Sequence, residues 1–167
     1  MSDNMLDKIY KILIFSDTHG CLSEIPFIKN VEEYDYILYL GDGYEEVERW
    51  VIKNKLQDKF IGVTGNCDEK PQIKRQKLIE IDQIKIFMTH GDIFDVKRDY
   101  KKILSKSKDI GANIAMFGHT HYADKIFVDG IHLFNPGSIM PRGRDFASVG
   151  YLEIQNNKIL QLEHLTF

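Results

Sequence analysis

The chain has 167 residues, 43% hydrophobic and 28% charged, the composition of an ordinary soluble domain rather than of a disordered chain. Its formal net charge of -3 disfavours tight, sequence-independent binding to a polyanion. The two cysteines, Cys21 and Cys67, form neither a disulfide framework nor a C-x-x-C motif, and no apolar run reaches membrane-spanning length. With no apolar core in the leading MSDNMLDKIY to mark a signal peptide, the expectation is one reduced, cytoplasmic domain over residues 1–167.

Lys11 to Phe15 (K-I-L-I-F) is continuously apolar after its lysine, the pattern of a strand buried on both faces, and S-D-T-H-G sits at its carboxyl end. Leu22 to Val31 carries Leu22, Ile25 and Ile28 at helical spacing, with Pro26 better suited to a first turn than to an interior. Tyr36 to Leu40 reads as a second buried strand followed by G-D-G, and Glu45 to Lys55 as an amphipathic helix. Lys59 to Thr64 is a third strand, ending in G-N-C-D. Lys77 to Ile81 and Ile84 to Thr89 flank a D-Q turn, and the second of them ends in H-G-D. Lys97 to Ile110 predicts a basic helix with a C-cap at Gly111. Ile114 to Phe117 is the strand before G-H-T-H.

From there the pattern becomes antiparallel. Lys125 to Val128 and Ile131 to Phe134 surround D-G, a strong hairpin signal. N-P-G-S-I-M-P-R-G-R is a turn-rich loop, and Ser148 to Ile154 and Lys158 to His164 surround N-N. Strand–helix alternation followed by hairpins predicts an α/β fold with a mixed sheet or two packed sheets.

Five of these apolar strands are followed within one or two residues by a group able to bind a cation. The groups are Asp17 and His19, then Asp42, Asn66, His90, and His119 with His121. Open α/β sheets collect their sites at strand carboxyl ends, so residues distant in sequence can meet on one rim. In extended backbone His119 and His121 would point to the same side and aim at one small volume, with Gly118 letting the chain turn. Each residue also has a plain alternative: Asp17 as a helix cap, Asp42 and Asn66 as turn residues, His90 as an interior histidine. His132 and His164 read as ordinary strand residues. Seven oxygen and nitrogen donors exceed one tetrahedral ion and suit two ions sharing a carboxylate. With no obvious thiolate among them, the set suits Mn2+, with Ni2+, Zn2+, Fe2+ or Mg2+ as alternatives, and disfavours a soft metal.

The ordered series D-x-H, G-D, G-N-x-D, a lone His before Gly, and G-H-x-H resembles the calcineurin-like metallophosphoesterase superfamily, over nearly the whole chain. The short length, G-N-C-D and N-P-G-S are similar to its small prokaryotic phosphodiesterase branch. The resemblance implies an αββα four-layer sandwich of two mixed β-sheets flanked by helices. It implies one metal held by Asp17, His19, Asp42 and His121 and a second by Asp42, Asn66, His90 and His119, with Asp42 as the bridge. The implied activity is hydrolysis of a small phosphodiester by metal-bridged hydroxide attack, with Asp42, Asn66 and His90 at the reaction centre. Membrane attachment and stable nucleic-acid binding are not expected, and a homodimer or homotetramer suits this branch.

At one position the chain departs from the commoner pattern: Cys67 stands where many members carry a histidine. A thiol is a poorer proton donor to an alkoxide at neutral pH, and positioned acid catalysis is typically worth about 10²–10⁴-fold, so activated diesters should be better substrates. The alternative for Cys67 is a small buried filler. Asp68 and Asn135 are candidates to orient the imidazoles, or plain turn residues. Arg142 and Arg144 could pair with substrate phosphate, or remain solvated. Competing activities are a phosphomonoesterase of the same fold, a nuclease, and a non-catalytic metal-binding interaction module. A eukaryotic trafficking-complex subunit of this fold has lost part of the ligand set, whereas every ligand position is filled here.

Overall fold

The computed structural model describes residues 8–140 and 146–167. The apolar runs form the strands β1 (Tyr10–Phe15), β2 (Tyr36–Tyr39), β3 (Phe60–Gly62), β4 (Gln76–Ile81), β5 (Ile84–Thr89) and β6 (Ile114–Met116). The back half supplies β7 (Ala123–Val128), β8 (Ile131–Pro136), β9 (Ser148–Gln155) and β10 (Lys158–Thr166). They assemble into two five-stranded sheets, β10-β9-β1-β2-β3 and β4-β5-β6-β8-β7. Both are mixed: β1, β2 and β3 run parallel, as do β5, β6 and β8, while β9, β10, β4 and β7 pair antiparallel.

Alternation along the strands makes three apolar layers. Ile12, Ile14, Leu38 and Leu152 of the first sheet meet Ile86, Met88, Met116 and Phe134 of the second between the sheets. Leu13, Phe15, Ile37 and Tyr39 point outward under α1 (Tyr44–Lys53) and the Leu22–Val31 segment. Phe87, Ala115 and Leu133 point outward under α2 (Lys101–Asp109) through Ile103. Both faces of the central strands are therefore covered, which is why β1 is apolar without interruption from Ile12 to Phe15.

Two predicted helices differ. Leu22 to Val31 is not α-helical but two 3₁₀ segments, Leu22–Glu24 and Pro26–Glu33. Pro26 starts the second one, where its missing N–H costs least, and Asn30 (φ -114, ψ 31) interrupts it. The helix expected from Lys97 begins only at Lys101: Asp95 is left-handed (φ 56), and the Asp99 carboxylate accepts the Lys101 N–H at 3.0 Å ahead of the first turn. Gly111 (φ 68) does follow its C-cap. Among the described residues, no helix is long and apolar enough to cross a membrane.

Candidate metal centre

The parallel strands of both sheets end at one rim, and hydrogen bonds within and between the sheets fix their ends together. Gly118 N–H donates to the His90 carbonyl at 2.9 Å, His119 N–H to Asp17 Oδ2 at 3.1 Å, and His90 Nδ1 bonds the Leu40 carbonyl at 2.8 Å. A carbonyl can only accept, so His90 Nδ1 carries the hydrogen and its Nε2 presents a lone pair to the centre. Gly118 does not supply a sharp turn. It allows close approach: a Cβ there would lie 2.0 Å from Ser16 Oγ and 2.5 Å from Asp17 Oδ2.

Three overlapping groups of donors converge at this rim: the two richest in imidazole, the first from Asp17, His19 and His121 and the second from Asp42, His90 and His119, and one from His19, Asp42 and Cys67. In the first, Asp17 Oδ1 is 3.1 Å from His121 Nε2 and 3.8 Å from His19 Nε2, and the two imidazole nitrogens are 3.4 Å apart. In the second, His90 Nε2 is 3.2 Å from Asp42 Oδ2 and 3.2 Å from His119 Nδ1. His19 Nε2 lies 3.9 Å from Asp42 Oδ2, linking the groups. The expectation that His119 and His121 share one small volume fails. Both are left-handed (φ 68 and 66), so the backbone between them is not extended and the rings part to opposite groups.

The arrangement fits bound cations. Asp17 is fully buried, yet its Oδ1 has no hydrogen-bond partner, a costly state for a carboxylate oxygen unless a cation meets it. Without one, the charges respond to each other. Burial pushes the Asp17 carboxyl up, but the imidazoles of His121, His19 and His90 outweigh it and hold the group below the usual carboxylate range. Burial likewise raises Asp42 and His90 pulls it down, with a lowered result. His19 is raised by Asp17, and His90 is raised because Asp42 and Asp17 overcome its burial. His119 is lowered by burial and by His90.

The side chains of Asp68 and Asn135 bond none of the candidate ligand imidazoles; they hold the loops that carry the candidate ligands. The Asp68 carboxylate accepts four backbone N–H groups, from Asp42, Gly43, Tyr44 and Gly65, at 2.8–2.9 Å. Asn135 Nδ2 donates to the Gly118 carbonyl at 2.9 Å and to Thr120 Oγ1 at 3.0 Å, while its Oδ1 accepts Gly137 N–H at 3.0 Å. Ser16 is a partner that the sequence did not single out: its hydroxyl donates to Asp17 Oδ2 at 2.6 Å. Its place directly before the aspartate was the available signal.

Asn66 is exposed beside the centre, with its amide donating to Cys67 Sγ at 3.4 Å. Cys67 is exposed too, which removes the buried-filler reading, and burial together with Asp42 raises its thiol. Arg142 and Arg144 lie outside the described residues. Two grooves flank the Gly65–Lys70 loop. One, of about 370 Å³, is bordered by His19, Glu45, Glu46, Cys67 and Glu69; the other, of about 460 Å³, by Asn66, Lys70, Ile73, Arg75 and Asp92. His132, tilted against Phe127, and His164, bonded to the Asn135 carbonyl at 2.7 Å, stand apart from these ligand groups.

Comparison with known proteins agrees with this geometry. The calcineurin-like phosphoesterase superfamily domain matches residues 10–157. A Bacillus subtilis protein described as probable metallophosphoesterase YsnB is 31% identical over 147 residues, covering 87% of this chain and 85% of its own. Phosphodiesterase YfcE of Escherichia coli is 26% identical, covering 86% and 87%. The crystal structure of a predicted phosphoesterase from Streptococcus pneumoniae superposes with a TM-score of 0.78 at 26% identity, over 95% of this chain and 90% of that one. The two mixed sheets are the fold of that family. The chain belongs to the calcineurin-like phosphoesterase superfamily.

Proposed function

We propose that this protein is a divalent-metal-dependent phosphodiesterase that hydrolyses small phosphodiesters at a two-ion centre. Asp17, His19, Asp42 and His121 hold one ion; Asp42, Asn66, His90 and His119 hold the other. The observation that carries this reading is the buried Asp17 Oδ1, which has no hydrogen-bond partner and is faced by His121 Nε2 at 3.1 Å and His19 Nε2 at 3.8 Å, two nitrogens themselves only 3.4 Å apart. When bound, such ions supply Lewis acidity to a phosphoryl oxygen and lower the pKa of an attacking water.

The chain's own residues do the positioning. Asp42 Oδ1 accepts the Cys67 N–H at 2.9 Å, which anchors the carboxylate and leaves Oδ2 facing His90 at 3.2 Å and His19 at 3.9 Å, one from each ligand group. The Leu40 carbonyl fixes the tautomer of His90, which keeps Nε2 a donor of its lone pair. Asp68 stops the Asp42 and Gly65 loops from relaxing away from the centre. Position 67 supplies at most a weak acid, so turnover is expected to favour activated leaving groups. Carboxylates of Glu45, Glu46 and Glu69 beside the first groove disfavour a polyanionic substrate and favour a small diester.

The test is hydrolysis of an aryl phosphodiester and the matching monoester by metal-stripped protein, with Mn2+, Ni2+, Mg2+ or Zn2+ restored and Asp42→Asn as control. Diester turnover that needs metal and is lost in the variant is the expected result. Preference for the monoester would move the assignment to a phosphomonoesterase. Tight metal binding without turnover of either would favour an interaction module.

A further inference from the structure

The ligand set visible in the sequence contains no thiolate, yet the fold brings one to it. The Cys67 Sγ atom and the ligating atoms of His19 and Asp42 all lie within 4.8 Å of one another. The loop is pressed there rather than resting there. Cys67 N–H donates to Asp42 Oδ1 at 2.9 Å, and a Cβ on Gly65 would stand only 2.1 Å from that same oxygen. Asn66 Nδ2 reaches Sγ at 3.4 Å and orients it. The Asp17 Oδ1 without a hydrogen-bond partner, which points to a cation, adjoins this group through His19, which belongs to both.

We propose that Cys67 Sγ is a further ligand of the ion held by Asp17, His19, Asp42 and His121, giving that site a preference for sulfur-accepting ions such as Zn2+, Co2+ or Fe2+ over Mg2+. This rests on the two-ion reading above. Coordination breaks the S–H bond, sends its proton to solvent and directs a sulfur lone pair to the ion. A thiolate engaged in this way has no proton to give, so position 67 then offers the leaving group no acid at all. Soft ligands select among divalent ions by type, which oxygen and imidazole donors alone do less sharply. Cys21 is an internal control: its Sγ contacts Met140 Sδ at 3.0 Å and belongs to none of the ligand groups.

The experiment loads metal-stripped protein with Co2+ and records its near-ultraviolet and visible spectra. Wild type is expected to show a sulfur-to-cobalt charge-transfer band that Cys67→Ser and Cys67→Ala both lack, while all three keep the visible cobalt bands. In parallel, alkylation by iodoacetamide is followed by mass spectrometry. Zn2+ is expected to slow Cys67 modification by about tenfold or more and leave Cys21 unchanged, with little protection by Mg2+. Full Co2+ binding with identical spectra in wild type and variants overturns the thiol assignment and leaves the two-ion centre standing. Equal protection by Mg2+ and Zn2+ overturns it as well, since that is steric cover. Failure of any divalent ion to bind overturns both readings.

Discussion

Left-handed backbone appears at both ends of the sandwich, for different reasons. Away from the metal centre, three hairpins turn through Asp82–Gln83, Asp129–Gly130 and Asn156–Asn157, all with positive φ. That conformation matches the twist of the strands they join, and Asp, Asn and Gly adopt it at low cost. A bond from Asn157 N–H to Asp82 Oδ2 at 3.1 Å ties two of these turns together across the sheets. At the rim, Asp17, His19, Asp42, His119 and His121 also have positive φ, yet none belongs to a hairpin. A left-handed histidine costs about 1–3 kcal/mol, and glycine would relieve it. The first end therefore chooses its residues for the backbone; the second tolerates strain to keep particular side chains.

The sharpest way to break that contrast is His121→Gly, which relaxes the backbone and removes a proposed ligand. Metal-free protein should be as stable as wild type or more so, while metal-dependent diester hydrolysis falls at least about hundredfold. Paired thermal melts and turnover assays decide it; a large loss of metal-free stability would mean that the strain reading is wrong. Asp68→Ala should follow, because it strands four backbone N–H groups: about 2–4 kcal/mol lost in urea denaturation, with weaker metal binding by calorimetry. Gly118→Ala should cost about 2 kcal/mol and much of the activity, since its methyl would collide with Ser16 and Asp17.

At the hairpin end the effects should be small. Asn157→Gly (φ 61) is expected to change stability by less than about 1 kcal/mol and activity not at all. Asp35 offers the mildest test. Burial raises its carboxyl, but the Lys11 N–H and Lys8 outweigh that and leave it lowered, so its contribution exists above the ordinary carboxylate range and fades as pH falls through the folded value. Asp35→Asn should lower the melting point near neutral pH and match wild type in strong acid. A difference that persists in acid would point to lost packing instead of charge.

Much of this was legible in the chain because strands and donors are local signals. K-I-L-I-F, Y-I-L-Y and I-K-I-F-M-T announce buried strands, and Asp17, Asp42 or His90 follows each within three residues. What escaped was set by backbone angles and distant contacts. Spacing alone placed His119 and His121 together, but positive φ separates them. Helical periodicity in Leu22 to Val31 was real, although Pro26 and Asn30 tighten and interrupt the turns. Nothing local reveals that Asp68 grips the Asp42 loop from 26 residues away, or that Cys67 faces His19 across 48 positions; only folding creates those pairs.

The most direct test of the two-ion centre is stoichiometry: equilibrium dialysis of the metal-stripped protein against Mn2+, with bound metal counted per chain alongside diester turnover. The account predicts two ions per chain in wild type, and loss of both tight binding and turnover in Asp42→Asn, because that carboxylate is shared. A single ion per folded wild-type chain, or turnover undiminished in metal-stripped protein, would contradict it.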